Sequence, residues 1–267
     1  MVGNISGKGS GGLSILNSLN KNQDKRTSLF KDLASGQKAF SADAAAGAIA
    51  AQIDAIDTAL AQGTRNTRDF VSVAALRDSA TTQVAALEER RTELAAQASN
   101  GTFSDEQRAV LNEEFQALGQ EIDRITATTE FNGINLFGGT SLTAQVGADS
   151  SESSQISLAA VDISADTSQN ILTQEAARTA LDSSETQRTQ IASIRASDGA
   201  AVARLEAAAE NNESTRLALQ SARSQLRDVD IAETAAELTR QNVLADGNVA
   251  LSAQANQNQQ TVLNLLR

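Results

Sequence analysis

The sequence lacks five residue types altogether: proline, cysteine, histidine, tyrosine and tryptophan. Proline makes up about 5% of an average protein and breaks helix interiors and central strands, so its absence predicts long uninterrupted helices. Without cysteine no disulfide or thiolate chemistry is available. Without cysteine and histidine, neither a Ser-His-Asp triad nor a histidine-bound metal site can form. We therefore expect no catalytic, cofactor or metal site, and the enzyme class left open is a glycosidase that works with carboxylates alone.

Aromatic residues and positive charge are also scarce. The aromatic fraction is 3%, all of it Phe, which leaves few rings to stack on sugars and disfavours a carbohydrate-binding adhesin. The formal net charge of −11 argues against nucleic-acid binding, which needs a basic surface. The N-terminus is polar and rich in Gly and Ser, and no apolar run approaches the roughly 20 residues that span a membrane. We expect neither a cleaved signal peptide nor a membrane partner.

Apolar residues at helical spacing predict a helix at each end of the chain. Their apolar positions are Leu13, Leu16, Leu19, Phe30 and Leu33 in the first helix, and Leu244, Leu251, Val262, Leu265 and Leu266 in the last. Gly36 is expected to end or bend the first helix. Residues 1–40 carry six basic and two acidic residues, a net of +4, and residues 229–267 carry two basic and four acidic, a net of −2. Helices with such narrow apolar stripes cannot bury them alone and need partner helices.

Between the two ends, the pattern predicts a second helix that closes at Asn100–Gly101 and a third that starts with a capping box at Ser104–Gln107. A turn-rich linker follows at 130–139. Leu142 to Val146 and Ile156 to Ile163 then alternate with a period of two, which predicts a β-hairpin with one extra residue near Ala159–Ala160, as in a β-bulge.

The helical pattern returns near Ile171 and runs to Leu226, with Asn212 as a polar residue in an otherwise apolar heptad. The terminal helix is predicted to begin near Asp230. Asp228 and Asp230 suggest either a calcium ligand pair or an N-cap; the loop lacks the other features of an EF-hand, which favours the cap.

These patterns predict a mainly α fold of long antiparallel helices that form a coiled-coil bundle, with paired terminal helices and one small β-hairpin region. The predicted domains are an inner core domain made of 1–40 and 229–267, and a helical bundle domain at 41–228 with its hairpin at about 138–165. Short connections favour antiparallel neighbours.

Several sequence blocks resemble bacterial flagellin. They are LASGQKAFSADAAAGAIA (33–50), TRNTRDFVSVA (64–74), TELAAQASNGT (92–102), TEFNGINLF (129–137), TAQVGAD (143–149), RSQLRDVDIAETAAELTRQNVLADGNVALSAQANQ (223–257) and VLNLLR (262–267). These blocks occur in order over nearly the whole chain. Two of them depart from the family pattern: the first is about two residues shorter than the usual form, and ANQNQQ lacks a proline that is common there. The chain thus resembles a minimal flagellin that holds only the inner domains.

The resemblance implies a structural subunit that polymerises into the extracellular flagellar filament for swimming motility. It implies export through a type III apparatus without a cleaved signal peptide, and partnership with an export chaperone, hook-associated proteins and cap proteins. The ten apolar residues of the terminal helices would then be subunit contacts. A hook-filament junction protein, which shares the terminal helices, is the alternative.

The resemblance also points to two further sites. In some flagellins the positions of Arg90, Leu94 and Glu114 form a patch that an innate immune Toll-like receptor contacts. The hairpin serines could carry O-linked sugar, as the family sometimes does; they are Ser150, Ser151, Ser153 and Ser154. The competing interpretations are a subunit contact for the patch and a solvated hairpin tip for the serines.

Overall fold

The computed structural model describes residues 9–38 and 44–265, with side-chain surroundings from residue 17 onward except at 259, 262, 263 and 265. The helices are α1 (Gly9–Ser35), α2 (Ala44–Ala98), α3 (Asp105–Thr128), α4 (Gln174–Arg227) and α5 (Ile231–Leu265). Between α3 and α4 lie β1 (Glu130–Phe131), β2 (Ile134–Asn135), β3 (Leu142–Gln145) and β4 (Gln155–Leu158). The mainly α fold predicted from the sequence is confirmed.

Ion pairs show that α2 and α4 run antiparallel. Asp57 Oδ1 accepts from Arg216 Nε at 3.1 Å. Further along, Asp78 Oδ1 accepts from Arg195 Nε at 2.9 Å. As the residue number rises on α2 it falls on α4, so the two longest helices lie side by side in opposite directions, as expected of a bundle.

The β region holds two antiparallel strand pairs, whereas the sequence predicted one hairpin. In the first pair, Phe131 lies opposite Ile134, and Asn132 and Gly133 between them have φ angles of 50° and 77°. Positive φ at both positions is the geometry that Asn-Gly favours in a two-residue hairpin turn. The segment interpreted as a linker is therefore a small hairpin.

The second pair is the predicted hairpin, with Leu142 opposite Leu158 and Gln145 opposite Gln155. The predicted bulge near Ala159–Ala160 is wrong, because β4 ends at Leu158. The carbonyl oxygen of Ala159 accepts from Arg77 Nη1 at 2.9 Å instead of continuing the ladder.

Bulky apolar side chains form three buried clusters, and all of them lie between Phe70 and Ala208 in the described chain. The largest includes Val73, Ile122 and Leu158, and gathers residues of α2, α3, α4 and the β region. The second hairpin is fixed on this core by Asn212, which donates to Val146 O at 2.8 Å. Asn212 is thus buried with a defined partner.

Three predicted helix boundaries are confirmed by local geometry. Gly36 follows α1 with a φ of 67°, a conformation that suits glycine after a helix. Ser104 caps α3 in a reciprocal capping box, in which Ser104 N donates to Gln107 Oε1 at 2.9 Å. Asp230 Oδ1 accepts from Ala232 N at 2.9 Å and Glu233 N at 3.0 Å, so it is an N-cap of α5.

The chain divides into two compact units, Met1–Asp54 with Leu219–Arg267, and Ala55–Ala218. The predicted domains at 1–40, 41–228 and 229–267 stay a prediction.

In the described part of the chain, α2 is long and apolar enough to cross a membrane, judged by length and composition alone. The sequence analysis expected no such segment. The helix is rich in alanine, which makes a stretch apolar without a run of large side chains, and core helices of soluble proteins meet the same criterion. Asp57 on this helix is paired with Arg216 of α4, an arrangement typical of a helix held in a bundle.

Candidate assembly surface

Helices α1 and α5 form an antiparallel pair, as the sequence predicts. Lys25 Nζ lies 3.0 Å from Glu237 Oε1. This ion pair joins the basic N-terminal helix to the acidic C-terminal helix. Where the chain leaves α1 and enters α5, Lys38 N donates to Arg227 O at 2.8 Å, and Val229 N donates to Gly36 O at 3.2 Å. These backbone hydrogen bonds fix the two helices in one register.

The seam between α1 and α5 mixes leucines with small and polar residues. One line of half-buried or buried residues on α5 recurs every three or four positions: Thr234, Leu238, Gln241, Ala245, Asn248 and Ser252. On α1 the corresponding residues are Leu19, Asn22, Arg26, Leu29 and Leu33. Gln241 Nε2 donates to Glu237 Oε1 at 2.8 Å, whereas Gln241 Oε1 and Asn242 Oδ1 are buried and find no hydrogen-bond donor in the described residues. A seam of this kind stabilises the pair weakly, because unsatisfied buried polar groups cost free energy.

Large apolar side chains lie on the outside of the pair. Phe30 is 64% exposed. Among the described residues of α5, the exposed large apolar side chains are Ile231, Val243, Leu244, Val249 and Leu251. On α5, the side that faces α1 is therefore mostly small or polar, and larger apolar residues face outward, the inverse of ordinary amphipathicity.

Four of these exposed α5 residues lie along two lines of the helix. Ile231 and Val249 are 18 positions apart, about five turns of an α-helix, so they lie on one line along the helix. Leu244 and Leu251 are seven positions apart, about two turns, and lie on another line on the opposite side of the seam. We call these lines the Ile flank and the Leu flank. Each presents two exposed apolar side chains to the surroundings.

Glu237 carries the negative charge of the ion pair between α1 and α5. Hydrogen bonds from Gln241 and then from Lys25 lower the pKa of its carboxyl below the ordinary value of about 4.5. Glu237 is therefore ionised at neutral pH and holds α5 to α1 through Lys25.

The predicted subunit contacts are only partly covered by the described chain. Leu19 and Leu33 are half-buried in the seam, whereas Phe30, Leu244 and Leu251 are exposed. Outside the described residues lie Leu266 and the side chains of Leu13, Leu16, Val262 and Leu265. Their role as subunit contacts stays a prediction. The α5 residues Ile231, Val243 and Val249 were missed, because they do not share the heptad of the leucines.

The structure separates the three residues of the predicted receptor patch. Arg90 Nε donates to Glu114 Oε1 at 2.8 Å across α2 and α3, and both side chains are exposed. Leu94 is fully buried in the cluster around Phe115. Arg90 and Glu114 thus form a surface ion pair, whereas Leu94 lies in the core, and the patch stays a prediction.

The hairpin serines surround one carboxylate. Ser151 Oγ and Ser154 Oγ both donate to Asp149 Oδ1 at 2.5 Å, and these bonds lower the pKa of Asp149. Ser150, Ser151 and Ser153 are exposed and Ser154 is half-buried. O-glycosylation at these serines stays a prediction.

No group of three Asp, Glu, His or Cys side chains that could hold a metal occurs in the described part of the chain. Long helices packed in a bundle, and a terminal pair with uncovered apolar flanks, define a helical structural protein that packs against other chains.

Comparison with known proteins identifies the family. A model of the bacterial flagellin N-terminal helical region matches residues 12–142, and one of the bacterial flagellin C-terminal helical region matches residues 181–266. Over 257 residues the chain is 37% identical to a flagellin of Halalkalibacterium halodurans, covering 93% of this chain and 94% of that protein. Over 297 residues it is 32% identical to a flagellin of Bacillus subtilis, and this match covers 96% of this chain and 97% of that protein. The chain belongs to the bacterial flagellin family and is a structural subunit of the extracellular flagellar filament.

Similarity in structure extends to hook-associated proteins. A structure assigned to a flagellar hook-associated protein of Vibrio parahaemolyticus covers 70% of this chain and 100% of its own, with a TM-score of 0.58 and 12% sequence identity. Identity at that level shows a shared fold alone. The filament subunit is therefore favoured over the hook-filament junction protein.

Proposed function

We propose that the chain polymerises through its α1–α5 pair, whose two flanks dock onto the terminal helices of neighbouring copies. The observation that carries this proposal is the inverse amphipathicity of α5, with Gln241 buried in the seam and Leu244 and Leu251 exposed outside it. Contiguous apolar surface on a soluble protein commonly marks a contact with another molecule.

The two flanks also suit a filament. The Ile flank and the Leu flank differ in residues and lie on opposite sides of the seam, so the contact they favour joins one flank to a different surface of the next copy. A heterologous contact of this kind generates an open helical filament when its rotation does not close.

Replacing the Leu flank tests the proposal. Complete burial of a leucine is worth about 1.5–3 kcal/mol. Leu244 is 48% exposed and Leu251 is 61% exposed, so covering both would contribute about 1.6–3.3 kcal/mol, or roughly 15- to 250-fold in the critical concentration. The double variant Leu244→Gln with Leu251→Gln keeps the helix, because Gln and Leu have similar helix propensities. We expect sedimentation of polymer to show a critical concentration raised by that factor.

Leu217 supplies a matched control. It is also 61% exposed and lies on α4 outside the terminal pair. Leu217→Gln should change the critical concentration by no more than about threefold, the usual size of a surface effect. A double variant that polymerises like the parent, or an equal loss in Leu217→Gln, would contradict docking through the Leu flank.

Removing residues 230–267 tests the role of α5 as a whole. We expect a soluble, partly helical monomer that forms no filaments, and we expect the full chain to gain helix in circular dichroism when it assembles. Negative-stain images of normal filaments from the shortened chain would refute pairing of the terminal helices as the basis of assembly.

We also propose that the chain leaves the cell unfolded through a type III apparatus, directed by an uncleaved N-terminal segment. The uncovered flanks of α5 support a chaperone that holds this part before export, and hook-associated and cap proteins would meet the same helices at the filament ends. The chain without residues 230–267 should then fail to bind the chaperone. Retained binding would place the chaperone site elsewhere.

We also propose two surface sites, the receptor patch and the hairpin serines. Toll-like receptor contact at the patch is supported by the exposed Arg90–Glu114 pair. O-linked sugar is supported by exposure of the hairpin serines around Asp149.

A further inference from the structure

A buried ion pair lies between α2 and α3 with part of its hydrogen-bonding capacity unused. Arg91 Nη1 donates to Glu88 Oε2 at 2.9 Å, and both side chains are almost completely buried. The guanidinium of Arg91 also stacks over the ring of Phe115 at 4.2 Å. Glu88 Oε1 has no hydrogen-bond partner in the described residues. A buried carboxylate oxygen without a donor is costly, and native proteins nearly always provide one.

A narrow crevice meets this carboxylate. Its volume is about 10 Å³, and its polar lining consists of Glu88, Ser164, Gln187 and Gln190. The rest of the lining is apolar: Val84, Ile122, Ile163 and Ile191. A site for one water molecule needs about 10–15 Å³ and two to four polar partners. The crevice meets both conditions and has no room for a larger ligand.

The charge around the crevice favours a neutral occupant. Arg91 already neutralises Glu88 across a 2.9 Å contact, so a cation would add an unbalanced charge to a buried pair. The side-chain amide nitrogens of the two glutamines already donate hydrogen bonds, from Gln187 to Ser164 O at 3.1 Å and from Gln190 to Asp162 O at 2.9 Å. The polar atoms of the two glutamines that remain can bond to one small molecule that both donates and accepts, such as water.

We propose that this crevice is a structural water site, in which one water molecule donates to Glu88 Oε1 and bridges it to the polar groups of segment 162–164 and α4. The water completes the hydrogen bonds of the carboxylate. It also ties α2 to the segment that places Ile163 and Ala165 in the core.

High-resolution structures of the full chain test the site. We expect a water peak about 2.5–3.0 Å from Glu88 Oε1. Glu88→Gln retains an oxygen there and should keep the peak, whereas Glu88→Leu should lose it, because the water would lose the acceptor that it needs and a larger part of the crevice lining would be apolar. The control Glu89→Leu changes the exposed neighbour and should leave the peak in place.

Other outcomes overturn the proposal. A protein donor on Glu88 Oε1 in place of the water would remove the need for a ligand. An anomalous peak in crystals grown with rubidium would show a cation site instead. A water peak that persists in Glu88→Leu would show that the carboxylate does not hold it.

Discussion

Removing the carboxylate of Asp198 should destabilise the bundle far more than removing any exposed partner of α2. Arg77 and Asp198 are both almost fully buried. Arg77 Nε donates to Asp198 Oδ2 at 2.9 Å, and its Nη2 donates to Asp198 Oδ1. In Asp198→Ala the guanidinium would keep one described partner, the carbonyl oxygen of Ala159. Loss of one member of a buried ion pair typically costs about 3–5 kcal/mol, because it leaves the other charge buried and uncompensated.

The neighbouring pair Asp78–Arg195 provides a control with the same helices and the same residue types. Its side chains are about half exposed, and exposed ion pairs contribute about 0.2–1 kcal/mol. Urea unfolding monitored by circular dichroism should therefore give a loss below about 1 kcal/mol for Asp78→Ala and about 3–5 kcal/mol for Asp198→Ala.

A third variant separates charge burial from the value of the pair itself. Replacing both members by apolar residues, Arg77→Met with Asp198→Leu, removes the uncompensated charge and should recover most of the lost stability. Equal losses in Asp198→Ala and Asp78→Ala would refute the reasoning, since burial would then have no energetic consequence.

Two further predictions concern the terminal pair and the second hairpin. A hydrogen bond from Gln241 is the chief cause of the lowered pKa of Glu237. The ionised carboxylate of Glu237 should therefore stabilise α1–α5 pairing above about pH 4.5, and this stabilisation should be lost as the pH falls through the folded-state pKa. NMR titration of Glu237 should follow the same pH range, and the pH dependence of pairing should be absent in Glu237→Gln. Gly63→Ala should destabilise the bundle by about 1–3 kcal/mol, because a Cβ there would meet the backbone of Val146. Gly199→Ala, where a Cβ meets nothing, should stabilise α4 by about 0.5–1 kcal/mol in urea unfolding. A stabilising Gly63→Ala would contradict the close approach of the hairpin.

Features set by neighbouring residues could be predicted from the sequence. The capping box at Ser104, the end of α1 at Gly36 and the cap at Asp230 depend on residues within a few positions of one another, and all three are confirmed. The hairpin at Asn132–Gly133 carried an equally local signal. It was missed because only two residues pair on each side, too few to show a strand period.

Features set by tertiary contacts could not be predicted. Arg77 and Asp198 are 121 positions apart, and nothing near either residue marks it as buried. Arg77 also binds the carbonyl oxygen of Ala159 just beyond the end of β4, a contact from 82 positions away that the alternation of apolar residues could not reveal. The heptad that identified the Leu flank says nothing about which side of the helix faces α1. Exposure of Ile231 and Val249 therefore emerged only from the pairing itself.

The distribution of apolar residues links the stability of the terminal pair to assembly. The described bundle buries three clusters of bulky apolar side chains and pairs the buried charges of Arg77 and Asp198. The α1–α5 seam instead buries Gln241 with an unsatisfied oxygen, so the pair gains little from its own contact. If neighbouring copies cover the flanks as proposed, burial of the flanks stabilises the α1–α5 pair and joins the subunits at the same time. Folding of the ends and growth of the filament would then show one concentration dependence, as expected when a partner binds only the folded form.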